Sequence, residues 1–209
     1  MKKILYMIGV SFIVLLVACP LSLLLPRPDP MSLYRDLDNK YIIKQCNLPM
    51  FYIIDNKVPK KYHHDIRKSF QYWNKIAFTF SEKYHKIFFD AGMINSIYEG
   101  PEIENTALGF VIIYMSFEED TNRAAYTKLR WRGKDNAGCL IGGNIYINSD
   151  TLENSSNYIQ TTIRHEIGHT LGLMHSDRVT DLMYKKVHEL FGLKDLSEWE
   201  IEAFKAVYK

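Results

Sequence analysis

The chain has 209 residues, 47% hydrophobic and 24% charged, the composition of a globular protein of about one domain. Lys plus Arg is 26 and Asp plus Glu is 24, and two of the positives are Lys2 and Lys3, so the body is close to neutral and has no electrostatic footprint for nucleic acid. Three cysteines exclude a disulfide-stapled miniprotein and a four-thiolate zinc site.

The first feature in chain order is a membrane signal. After Lys2 and Lys3 the run Ile4–Leu25 is uncharged and strongly apolar. Its length at about 1.5 Å per residue spans roughly 33 Å of helix, enough to cross a hydrocarbon core. The flanking lysines stay inside, which puts the rest of the chain outside the cytoplasm. One version is an uncleaved signal anchor over 1–25. Another is a lipoprotein signal, because Leu16-Val17-Ala18-Cys19 resembles a lipobox, although Pro20 and Leu21–Leu25 are unusual after such a Cys. A cleaved signal with a secreted product is the third. Pro26-Arg27-Pro28-Asp29-Pro30 reads as a stiff extended segment, and 26–50 as a spacer before a domain over 51–209.

Phe51–Ile54 predicts a first strand. Pro59 opens a long helix whose apolar stripe is Tyr62, Ile66, Phe70, Trp73, Ala77 and Phe80. Ile87–Pro101 has no clear period. Phe110–Phe117 predicts a central strand and the more polar Ala124–Leu129 an edge strand. The glycine-bearing Arg132–Gly143 reads as loop and Asn144–Asn148 as a further strand. Asn157–Leu173 predicts a second long helix with Ile159, Ile163, Ile167 and Leu171 inward. Ser197-Glu198-Trp199-Glu200 is a capping box, and Ile201, Phe204 and Tyr208 line one face of the helix it opens. Helices beside a small sheet make the fold class α+β.

The chemistry lies in His165-Glu166-Ile167-Gly168-His169-Thr170-Leu171-Gly172-Leu173-Met174-His175, which reads H-E-x-x-H-x-x-G-x-x-H. His165 and His169 are one helical turn apart, so both imidazoles reach one zinc ion at about 2.0–2.1 Å. Gly172 allows the left-handed residue that ends a helix, after which His175 returns to the same metal. Three imidazoles leave one coordination position open, as in a catalytic rather than a structural site. Glu166 stands beside the first ligand, where a base must be to take a proton from water. With this composition the five fixed residues recur by chance roughly twice in 100,000 such chains, which leaves coincidence little weight.

These residues resemble the metzincin zinc endopeptidases, and within them the matrixins. Asp181-Leu182-Met183-Tyr184 is similar to the family's Met-turn, which makes Met183 the structural methionine beneath the metal. Ser176 after the third His also fits. Lys68–Glu82 and Leu196–Tyr208 resemble the matrixin first and C-terminal helices, so the likeness runs over Phe51–Lys209. The resemblance implies a zincin fold and one catalytic zinc held by His165, His169 and His175. It also implies Glu166 as general base, and a protein or peptide substrate laid antiparallel to the Ala124–Leu129 edge.

Several positions depart from the family. Lys185 replaces the Pro that usually follows the Met-turn Tyr, so side-chain preference does not carry over. Tyr184 is adjacent to Met183 rather than two residues beyond it and takes no metal role. No structural-zinc loop is visible, and His63, His64, His85 and His188 read as exposed polar positions. Calcium ligands cannot be assigned; Glu118-Glu119-Asp120 and Asp150 read as solvated acidic positions. Cys46 and Cys139 form a disulfide, remain two free thiols, or leave Cys46 to block the zinc; Cys46-Asn47-Leu48-Pro49 does not match the family's latency motif. Two rival functions stand beside the peptidase: an idle, zinc-stabilised binding module, and a zinc hydrolase acting on a non-peptide bond.

Overall fold

A computed structural model describes residues 29–34, 43–81, 83–94, 110–116, 123–131, 138–186 and 192–209. The run Ile4–Leu25, the acidic trio Glu118–Asp120 and His188 lie outside the described residues. Among the described residues no helix is long and apolar enough to cross a membrane.

Among the described residues six strands form one sheet: β1 (Lys44–Gln45), β2 (Met50–Asp55), β3 (Phe88–Ile94), β4 (Phe110–Ser116), β5 (Ala125–Trp131) and β6 (Cys139–Asn148). Strands β3, β2, β4 and β6 lie side by side in parallel, and β5 runs antiparallel along the far side of β6. The two-residue β1 pairs with the start of β6 at Cys139 and Leu140, ahead of the stretch from Gly143 that β4 takes. Within β6, Ile145 and Ile147 are buried, as alternation demands of the face turned to the helices.

The glycine-bearing stretch expected as loop is a correction: Cys139–Gly143 is the first half of β6. A Cβ on Gly143 would stand 3.3 Å from the Lys128 carbonyl oxygen and 3.3 Å from Thr170 Cγ2. The glycine is there because a strand and a helix end both press on that backbone. The unassigned Ile87–Pro101 contains β3, paired to β2 from Met50↔Phe88 onward.

Among the described residues there are four α-helices: α1 (His63–Phe80), α2 (Ser149–Leu152), α3 (Ser156–Thr170) and α4 (Glu198–Tyr208). Pro59 opens a 3-10 turn at Lys60–Tyr62 before α1 begins. His63 is not exposed as expected; it is buried, with Nε2 2.8 Å from the Val58 carbonyl. That carbonyl belongs to the turn leading into α1, so the ring folds back over it. Ile66, Phe70, Trp73 and Ala77 are buried, and the Trp73 indole donates to the Arg164 carbonyl across to α3 at 2.9 Å. Asp65 of α1 accepts from Ser156 and Gln160 at 2.6 and 2.9 Å, fixing the register of the two helices.

Part of the stretch expected as spacer is built into the domain. Leu33 and Ile43 are buried, and the Leu33 carbonyl accepts from the Met174 amide at 2.7 Å. A disulfide joins Cys46 to Cys139, with Cα atoms 5.5 Å apart. Cys46 is therefore neither free nor poised to block a metal.

Candidate active site

Helix α3 ends at Thr170, three residues short of the expected Leu173. The cause is a Schellman turn: Leu173 N–H donates to the Gly168 carbonyl at 3.0 Å and Gly172 N–H to the His169 carbonyl at 2.9 Å, with Gly172 at φ 96°. A Cβ on Gly172 would lie 2.5 Å from the Ile43 carbonyl oxygen, so this position needs glycine for space as well as for φ. The turn reverses the chain and brings His175 beside the two helical histidines.

His165, His169 and His175 offer ligand atoms within 4.8 Å of one another. His169 Nε2 is 3.1 Å from His165 Nε2 and 3.2 Å from His175 Nε2. Tetrahedral ligands at about 2.05 Å from one zinc stand about 3.3 Å apart, so the spacing fits. Protonation states agree. His165 Nδ1 lies 2.8 Å from the Leu182 carbonyl and His169 Nδ1 2.7 Å from the Leu173 carbonyl. A carbonyl only accepts, so both Nδ1 atoms carry the proton and both Nε2 lone pairs point inward. Burial, and for His165 also the neighbouring rings, hold His165 and His169 below the ordinary imidazole range. His175 is pushed down to about 4 by burial first, then by His169, Arg123 and Lys185. Neutral nitrogen lone pairs this close repel unless a cation sits among them.

Glu166 is buried next to them. Strand pairing Thr127↔Ile145 turns the Thr127 side chain to the helix face of the sheet, where its hydroxyl donates to Glu166 Oε2 at 2.5 Å. Burial raises the Glu166 carboxyl to about 7, against the opposing pull of Thr127 and Arg123. A cleft of about 560 Å³ opens over this group, with β5 residues Ala125, Tyr126, Thr127 and Leu129 along one side and Lys185 and Lys186 on its rim. Among the described residues β5 pairs with β6 alone, so the cleft runs beside a sheet edge as expected.

Met183 lies under the histidines. A Cβ on Gly168 would be 2.5 Å from Met183 Sδ, so the methionine fills the gap in the helix surface that the glycine leaves. The buried Glu200 of α4 holds this turn, accepting from Leu182 N–H at 3.1 Å, Met183 N–H at 2.8 Å and Ser197 N–H at 2.7 Å. Burial raises the Glu200 carboxyl even though the three amides draw it down. The Leu182 peptide thus links Glu200 on one side to His165 Nδ1 on the other.

The Matrixin family model matches residues 111–209, just under half of the chain. That match supports a matrixin-like metzincin domain. A search of curated proteins finds no match. The matched stretch holds the three histidines, Glu166 and Met183, all of which the fold brings to one place. The match supports a metallopeptidase-type domain. Four contributors had no individual signal in the sequence: Thr127, Gly168, and the carbonyls of Leu182 and Leu173. Glu200 did have one, as the last residue of the capping box, but its second task on the Met-turn is a tertiary contact.

Proposed function

We propose that the protein is a zinc-dependent endopeptidase held outside the cytoplasm by its N-terminal segment. The observation that carries this reading is the convergence of three inward-facing Nε2 atoms beside a buried carboxylate, in a cleft that follows a sheet edge. His165, His169 and His175 would hold zinc, which supplies a Lewis acid for the scissile carbonyl and for water. An extended peptide adds to the β5 edge through main-chain hydrogen bonds, which positions the scissile bond over the histidines with little demand on sequence. Thr127 donates to Glu166 Oε2, and Oε1 would accept from the water. Glu166 takes the proton as water attacks the carbonyl carbon and passes it to the amine nitrogen as the C–N bond breaks.

Glu166→Gln tests this. It keeps shape and removes the base. Wild type and variant should each bind close to one equivalent of zinc by metal analysis. Peptide cleavage by the variant should fall about 10²-fold or more. A wild type that cleaves no peptide above a chelated control removes the peptidase reading; a variant as fast as wild type removes the role of Glu166.

A further inference from the structure

We propose that the cleft selects peptides carrying an aspartate or glutamate just C-terminal to the scissile bond. This rests on the peptidase reading above and adds the substrate class.

Among the described residues the charges at the cleft are one-sided. Its described lining contains three cations, Arg123, Lys185 and Lys186, and one anion, the buried Glu166. The cations come from two separate places in the chain. Arg123 stands just ahead of β5, and the two lysines follow the Met-turn. Both groups line the same cleft. Lys185 is half exposed and already holds Asp177 at 2.6 Å. Its ammonium has three protons, so a second carboxylate can be added without breaking that pair.

Strand direction says which part of a peptide meets this charge. Strand β5 runs from Ala125 to Trp131. Antiparallel addition, the better-bonded arrangement, makes a bound peptide run from the Trp131 end toward the Ala125 end. Its N-terminal half lies along Leu129, and its C-terminal half arrives at Arg123. A side-chain carboxylate there meets cations on both sides. An amide or apolar side chain gains nothing from them, and a lysine is repelled. Each exposed pairing is worth little alone, so the combined effect is a preference and not an absolute requirement.

The test uses the full chain in detergent, loaded with zinc, and peptides blocked at both ends. Matched pairs differ only as Glu against Gln, or Asp against Asn, at the first and second positions after the bond cut, with the cut located by mass spectrometry. At low salt the acidic member of a pair should have the higher kcat/KM, by about threefold to tenfold. The ratio should shrink as salt rises, since these charges are exposed. Lys185→Glu and Arg123→Glu should each lower the ratio toward one or below. A wild-type ratio at or below one at both positions overturns the proposal and leaves the peptidase standing. So does a preference unchanged in both variants, which would locate the reading group elsewhere. If no peptide is cut, the peptidase reading and the proposal fall together.

Discussion

Glu166 is a carboxylate whose burial opposes its ionisation, and this has a measurable consequence in the metal-free protein. Its folded value is about 7 against an ordinary 4.5. A carboxyl raised on folding contributes stability that is complete below about pH 4.5 and is lost as pH rises through 7. At about 1.4 kcal/mol per unit the loss amounts to about 3 kcal/mol by pH 8. The three histidines act in the opposite sense: lowered on folding, they contribute stability above pH 6.5 that is lost on acidification, for His175 down to about pH 4. Glu166→Gln keeps the histidines and removes the carboxyl. With zinc chelated, the variant should therefore gain on wild type between pH 5 and pH 8 in urea unfolding, by up to that 3 kcal/mol. A constant difference across this range would show that Glu166 is not buried as described. Gly168 offers a second test at single-residue scale. Gly168→Ala drives a methyl into Met183 Sδ and should cost about 1–3 kcal/mol. Met183→Ala empties that space, so the double variant should lose less than the two single losses added. Simple additivity in a denaturant double-mutant cycle would deny the contact.

At the scale of elements, α4 serves the site without touching the cleft. Its N-terminal Glu200 closes the capping box and also holds the Met-turn through two amides. A carboxylate has two oxygens for three N–H donors, and Gln has one. Glu200→Gln should therefore leave at least one buried amide unsatisfied, facing an NH2 group, at a cost of about 1–3 kcal/mol. Urea unfolding should show a lower midpoint with an unchanged slope. Zinc affinity should drop as well, because the Leu182 carbonyl that orients His165 is part of the same turn. A variant that loses stability but keeps full affinity would confine Glu200 to helix capping.

For the whole molecule, the Cys46–Cys139 disulfide closes a separation of 93 residues and ties the strand that backs Gly172 to the start of β6. Such a bond persists outside the cytoplasm, in keeping with the apolar run behind Lys2 and Lys3. In the full chain expressed in cells, Cys46 and Cys139 should resist alkylation, and the body should be open to protease added to intact cells. Replacing both cysteines by serine should cost about 2–4 kcal/mol. A protected body with both thiols reactive would defeat the export reading and the bond together.

The spacing of the three histidines, the two long helices and the strands β2, β4 and β5 were legible in the sequence because each depends on a local pattern. Imidazoles four residues apart share a helix face wherever the helix is placed, and a Ser-x-x-Glu box caps the helix it begins. Gly143 misled for a physical reason. Its absent Cβ makes room for Thr170, distant in sequence, and local reading takes such a glycine for a break. His63 misled in the same way, since burial against the Val58 carbonyl leaves no periodic mark. What only the tertiary structure decided is everything that depends on chain segments meeting. Thr127 reaches Glu166 because β5 pairs in one register and not its neighbour, Glu200 reaches the Met-turn because α4 docks there, and Cys46 reaches Cys139 because β1 joins β6. Local sequence sets side-chain direction within an element, whereas distances between elements come from packing, which the whole chain determines at once.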